Sequence, residues 1–295
     1  MPSSFPSETP SYFADAEASR KNADFVIFGV PYEKTVTFRK GTDKGPLSIR
    51  KASWNFESFN IRTGIDLQNQ RIHDYGDLAC TDQMKPDKVN DMVKTFTSQL
   101  VQENRIPIVI GGEHSISAGI IHGFSKDIGI LMFDAHADYR DSFESNRYNH
   151  ACTTRRIADY IGNENILICG LRSAGKKEYR QLKQNKIKYV DAFEIYHNKM
   201  DQYTDEIASF FHHKKIYVSI DIDVFDPAFA PGTGAPEPFG LHPFDVLEGI
   251  DCIAEKIVGF DVMEVNPLYD HGQTAVLAAK VIRYTIEQII SCRKK

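Results

Sequence analysis

The chain has 295 residues, with 35 Lys+Arg against 40 Asp+Glu and a formal net charge of −5. Scattered cations under a net negative charge exclude a nucleic-acid binder, which needs a cationic stripe to displace phosphate counterions. No run approaches the ~18 apolar residues of a membrane span.

With 42% hydrophobic and 25% charged residues, the composition is that of a globular protein, and α/β folds of this length run as one domain. Residues 1–295 are therefore read as a single domain, with 1–20 as an N-terminal extension. Met1–Ala14 is rich in Ser and Pro and lacks the basic and apolar regions of an export signal. The five cysteines, Cys80, Cys152, Cys169, Cys252 and Cys292, are odd in number and contain no CxxC. They form neither a disulfide framework nor a thiolate zinc site, which fits a reducing cytoplasm.

In chain order, the first strands predicted are Phe25–Val30 and Arg71–Asp74. The segment Asp87 to Asn104 then places Val89, Met92, Val93, Phe96, Leu100 and Val101 on one stripe, a helix begun by Pro86 and Asp87. Strands follow at Ile106–Ile110, Ile128–Phe133, Ile166–Cys169, Ile187–Val190, Ile216–Ile220 and Ile257–Val262. A final helix carries Ala275, Ala278, Ala279, Ile282, Ile286 and Ile289, with Arg293–Lys295 where the dipole favours cations. Short apolar runs alternating with amphipathic stretches give an α/β fold on a parallel sheet covered on both faces.

The chemistry concentrates at strand ends. Ile128–Asp141 reads IGILMFDAHADYRD, an apolar run that yields Asp134, His136 and Asp138 at every second position. In an extended chain that spacing puts all three on one side. Lys215–Asp226 repeats the pattern with Asp221 and Asp223, and Gly111-Gly112-Glu113-His114 follows a third strand. Four acids and two imidazoles meeting at the carboxyl edge of one sheet need cations between them or shifted pKa values.

A thiolate-free, oxygen-rich set suits Mn²⁺, with Co²⁺, Ni²⁺, Fe²⁺ and Zn²⁺ also compatible. Six ligands exceed what one ion with an open position takes. Two ions would balance four carboxylates and acidify a bridging water, chemistry suited to hydrolysis. Beyond Asp223, the Pro/Gly loop Gly232–Pro238 holds one acid, Glu237, oriented to bind a planar cation such as guanidinium through paired hydrogen bonds. His150 ends the polar connection begun at Tyr139 and can move a proton to a leaving amine, since imidazole titrates near neutral pH. Asp141 and Glu144 in that connection are either acids facing a distal ammonium or solvated loop charges.

These segments resemble the ureohydrolases, the arginase/agmatinase family. The resemblance rests on GGEH at 111–114, DAHAD at 134–138, SIDIDVFDP at 219–227, GTGAPEP at 232–238 and EVNP at 264–267. GVPYEKTVTFRKGTDKGPLSIRKAS at 29–53 and DYGDL at 74–78 resemble the agmatinase branch. The resemblance implies a three-layer α/β/α fold with an eight-stranded parallel sheet, two Mn²⁺ per chain and oligomers built of trimers, a homotrimer or homohexamer. It implies that His114, Asp134, Asp138 and Asp221 hold one ion and Asp134, His136, Asp221 and Asp223 the other. Asp138 would accept a hydrogen bond from the bridging hydroxide, His150 would be the proton shuttle, and Glu237 the guanidinium acid. Hydroxide attack on the guanidinium carbon of agmatine would release urea and putrescine, a step of polyamine biosynthesis.

Guanidinobutyrate, arginine or an aminopropyl-agmatine are the alternative substrates; a deacetylase-like metal hydrolase and a non-catalytic homologue are the alternative classes. Agmatinases often carry Gly-Gly where this chain has Phe239-Gly240, which predicts a different pocket wall near the guanidinium.

Overall fold

The computed structural model describes residues 11–81 and 83–294. Its strands are β1 (Phe25–Val30), β2 (Ile72–Asp77), β3 (Ile106–Gly111), β4 (Ile128–Phe133), β5 (Ile166–Leu171), β6 (Lys188–Asp191), β7 (Lys215–Asp221) and β8 (Ile257–Met263). They form one sheet in the order β2-β1-β3-β8-β7-β4-β5-β6, parallel throughout. Each overlaps a predicted run, β2 extending three residues beyond the end of its own. Every residue of β1, β3, β4 and β5 is buried, as a strand covered on both faces requires.

Nine α-helices lie among the described residues: α1 (Gly45–Ser53), α2 (Pro86–Gln102), α3 (Ile116–His122), α4 (Thr153–Ile161), α5 (Lys176–Gln184), α6 (Ala192–Asn198), α7 (Thr204–Phe210), α8 (Pro243–Asp251) and α9 (Gln273–Arg293). Alternation along the strands sorts them into two layers. Ile27, Ile108, Leu131 and Val218 face Ile49 of α1, Ile250 of α8 and Ile282 of α9. Val26, Val109, Ile130 and Tyr217 face Val93 of α2, Ile120 of α3, Ile157 of α4 and Leu182 of α5. The architecture is three-layer α/β/α.

Part of the expected N-terminal extension packs onto the fold. Phe13 and Ala16 enter the core, Phe13 N donates to Asp74 Oδ2 at 2.7 Å, and Ala18 N donates to Ile72 O at 2.9 Å. Residues 1–10 lie outside the described residues. The DYGDL motif has a structural reason: Arg50, 2% exposed, pairs with both Asp74 oxygens at 2.7 and 3.0 Å and with Asp77. Leaving a buried charge without its partner costs about 3–5 kcal/mol, so the two acids are tied to the guanidinium they neutralise.

Strand order decides where the chemistry collects. The segments after β3, β4, β7 and β8 leave one edge of the sheet, and those strands are consecutive in the order β3-β8-β7-β4. Side chains far apart in sequence therefore meet in one crevice at the carboxyl ends, where ligands of open parallel sheets bind.

Candidate metal centre and active site

Two copies of one local device present the acids. Asp134 Oδ1 accepts from His136 N at 2.7 Å, and Asp221 Oδ1 accepts from Asp223 N at 2.9 Å. The chain past each strand is thus turned by its leading aspartate, with a 3₁₀ turn at Ile222–Val224 and left-handed backbone at Asp138, φ 46°. This corrects the expectation of an uninterrupted extended chain, because the carboxylates converge through side chain-to-backbone turns. At the end of β3, Gly112 lets the backbone of Tyr32 cross closely, since a Cβ there would collide with it. His114 is held next to this crossing, its N–H donating to Glu264 Oε1 at 2.7 Å.

The six residues singled out in the sequence come together. His114 Nδ1 stands 3.2 Å from Asp134 Oδ2, 3.2 Å from Asp221 Oδ2 and 3.5 Å from Asp138 Oδ2. His136 Nδ1 stands 2.9 Å from Asp223 Oδ2 and 3.9 Å from Asp134 Oδ1. Two groups could each hold an ion: His114, Asp134 and Asp221, and Asp134, His136 and Asp223. Asp134 belongs to both, one oxygen turned to each, while Asp221 falls in the first group and not the second.

The donor set fits divalent cations on an observation of its own. His114 Nδ1 and Asp134 Oδ2 are buried without any hydrogen-bond partner despite their 3.2 Å approach, and orphaned buried polar atoms call for a ligand. An ion between them would satisfy both.

Electrostatics agree. Burial raises Asp134 to about 7, with Asp138 pushing the same way, and burial followed by Asp223 raises Asp221 well above the carboxylate range. Burial opposes charge on His114, yet the carboxylates Asp134, Asp138 and Asp221 prevail and raise it; His136 is raised against burial chiefly by Asp223. Asp223 goes the other way, lowered against burial by His136 and Arg172. Without cations, the cluster retains protons in their place.

A family model described as the Arginase family matches residues 23–287. The chain belongs to the arginase family. Its similarity to N(1)-aminopropylagmatine ureohydrolase of Thermococcus kodakarensis is 37% identity over 270 residues, 90% of this chain and 91% of that one. Agmatinase of Pyrococcus horikoshii is 34% identical over 273 residues, 90% and 92% of the two chains. The solved structure of agmatine ureohydrolase of Thermoplasma volcanium superposes with a TM-score of 0.92 at 37% identity, covering 97% of each chain. These relatives place the chain in the agmatinase branch and make it a metal-dependent ureohydrolase.

In this ureohydrolase five of the six candidate ligands, His114, His136, Asp138, Asp221 and Asp223, line a cavity of about 190 Å³, below the roughly 300–1,000 Å³ of sites for drug-sized ligands. His150 lines it. Glu237 does not: it sits at the rim, side chain 37% exposed, Oε2 3.8 Å from His136 Nε2. Of the two glutamates that line the cavity, Glu178 is paired with Arg140, and Glu264, 7% exposed and raised to about 8 by burial, stands beside the aspartates and carries no ion pair among the described residues. Gly234 makes room for it, because a Cβ at 234 would come within 3.0 Å of Glu264 Oε2. Sequence reasoning quoted EVNP and gave its acid no role. The missed signal was a lone Glu immediately past an apolar strand, the same position Asp134 has after β4.

Phe239 stands outside the cavity. Its left-handed backbone, φ 64°, turns the ring out to 73% exposure, toward Phe193, so it forms no wall of the cavity. Asp141 pairs with Arg147 and Arg156, and neither it nor Glu144 lines the cavity. The outer wall is instead Phe38, Phe143, Arg140 and Glu178, the last two paired at 3.1 Å. Arg172, also unforeseen, donates to the carbonyls of Asp223 and Glu237, both at 2.7 Å, and pins the Glu237 loop to the end of β7.

Proposed function

We propose that this ureohydrolase cleaves agmatine to putrescine and urea in the cytoplasm, using two Mn²⁺. The observation that carries the reading is the pair of His/Asp groups sharing Asp134, whose His114, His136, Asp221 and Asp223 line a narrow cavity with the buried acid Glu264 beside them. His114, Asp134, Asp138 and Asp221 would hold one ion, and Asp134, His136 and Asp223, joined by Asp221, would hold the other. When bound, the two cations supply a water acidified toward neutral pH. Asp138 would accept a hydrogen bond from such a water and orient it toward the guanidinium carbon. Glu264 accepts guanidinium N–H groups and holds the plane across the cavity floor; Glu237 approaches from the rim. As the carbon becomes tetrahedral and the C–N bond to the amine breaks, His150 delivers a proton to the departing nitrogen.

A homotrimer or homohexamer belongs to the same reading, with exposed Phe193, Tyr196, Phe239 and Phe244 as apolar surface for subunit contact. No helix among the described residues is long and apolar enough to cross a membrane.

N(1)-aminopropylagmatine is a second reading, favoured by the relative at 37% identity that bears that substrate in its name. Urea release by Mn²⁺-loaded protein across agmatine, N(1)-aminopropylagmatine, guanidinobutyrate and arginine separates the two. Agmatine is expected to give the highest kcat/KM; a carboxylate-tailed compound that outruns both amines would end the agmatinase reading. The two acids separate as well. Glu264→Gln is expected to lower kcat/KM about 10–100-fold, the scale of a lost buried charged hydrogen bond, and Glu237→Gln by less than about tenfold, since its charge is water-screened. The reverse order would return the guanidinium to Glu237.

A further inference from the structure

The segment 29–53 carries branch-like sequence to which the chemistry above gives no part. One of its residues, Thr35, touches the histidine that the proposed function makes the proton shuttle. Thr35 is 8% exposed, and its Oγ1 lies 3.1 Å from His150 Nδ1, 3.0 Å from His150 N and 3.1 Å from Glu113 Oε1. Glu113 is fully buried. Its carboxylate accepts from Lys34 N and Thr35 N, both at 2.6 Å, and from the Ser115 hydroxyl.

Donor counting fixes the arrangement. A hydroxyl has one hydrogen and two lone pairs, and a carboxylate can only accept. The Thr35 hydrogen therefore goes to Glu113. One lone pair of Oγ1 takes the backbone N–H of His150, so the contact with Nδ1 is satisfied only if Nδ1 carries a hydrogen and donates it. Neutral His150 is then the Nδ1–H tautomer, with Nε2 bare and free of any hydrogen bond to the described residues.

We propose that Thr35, itself held by Glu113, is a positioning residue that fixes both the ring orientation and the tautomer of His150. The proposal rests on His150 being the proton shuttle. Protonation of Nε2 leaves every hydrogen bond of the relay unchanged, so the ring need not turn when it takes up a proton or hands it to the leaving amine. Neither Thr35 nor Glu113 transfers a proton. The opposite tautomer would require the Thr35 hydroxyl to turn away from Glu113 and leave that buried carboxylate one donor short. Orienting partners of this kind set which ring nitrogen works.

The test is the ring ¹⁵N spectrum of histidine-labelled protein loaded with diamagnetic Zn²⁺, at a pH where the ring is neutral, with His150→Asn identifying the resonances. Wild type and Thr35→Ser are expected to show the Nδ1–H tautomer, and Thr35→Val a mixture or the Nε2–H form. With Mn²⁺, Thr35→Val is expected to lose about 10–100-fold in kcat, with KM within about twofold and Thr35→Ser close to wild type. An Nε2–H tautomer in the wild type overturns the proposal, and that measurement needs no variant of Thr35 to fold. Equal losses in Thr35→Ser and Thr35→Val also overturn it, since they would trace to loop packing. If His150→Asn keeps full kcat, the shuttle role falls and a pure Nδ1–H signal still reports the relay, so the two failures are told apart.

Discussion

Asp221→Ala is expected to cut urea release by about 10³-fold or more, beyond the 10–100-fold typical of a lost outer partner, and to reduce bound metal to one ion or fewer per chain. The residue does two things at once. Its Oδ2 faces His114 Nδ1 at 3.2 Å, and its Oδ1 holds Asp223 N at 2.9 Å, so alanine removes one donor and releases the turn that presents another. Stability separates this from misfolding. Burial and the neighbouring Asp223 make the Asp221 carboxylate unfavourable when no cation is present. In chelator at pH 8 the variant should melt no lower than wild type, whereas with Mn²⁺ it should melt well below it. Metal content by elemental analysis, with melting curves in both conditions, checks the claim. Two ions per chain with full activity in the variant would remove Asp221 from the ligand set.

The sheet was legible because its strands are buried on both faces, which leaves apolar runs with nowhere else to go. β2 was the exception. It extends to Asp77, three residues past the apolar signal at Asp74, since polar residues there answer to Arg50, a contact no local pattern reveals. The candidate metal groups were legible as chemistry, because no stable strand end concentrates Asp134, His136 and Asp138 without a compensating charge. Their meeting point was not, because periodicity carries no strand order; only β3-β8-β7-β4 adjacency brings His114 to Asp134 and Asp221.

Glu264 and Thr35 were hidden for different reasons. Glu264 gains its place from left-handed backbone, φ 63°, and from the amide of His114, 150 residues earlier. Thr35 is an ordinary loop residue until the crossing over Gly112 sets it between Glu113 and His150. For Glu237 the rigid Pro/Gly loop fixed where the backbone goes but not the side of the rim the carboxylate takes, 3.8 Å from His136 Nε2.

Metal removal should destabilise the protein, and more so as pH rises. In the metal-free fold, Asp134 is raised to about 7, Glu264 to about 8, and Asp221, His114 and His136 are raised as well. Between the ordinary pKa of each group and its raised value, the native state holds more protons than the unfolded chain. The slope of unfolding free energy with pH follows the protons bound by the unfolded state minus those bound by the native state, so it is negative from about pH 4 to about pH 8. Asp223, lowered in the fold, has the opposite sign, but its contribution is lost only on acidification through the carboxylate range, outside that window. Cations reverse the trend: they replace the retained protons, and their binding strengthens as the donors deprotonate. Free metal at 100 times Kd adds about 2.7 kcal/mol, or roughly 4–5 °C in Tm for a chain of this size. The gap between Mn²⁺-loaded and chelated protein should therefore reach that range near pH 8 and shrink toward pH 6. A gap constant across those pH values would mean that the buried acids and imidazoles are not what the metal neutralises.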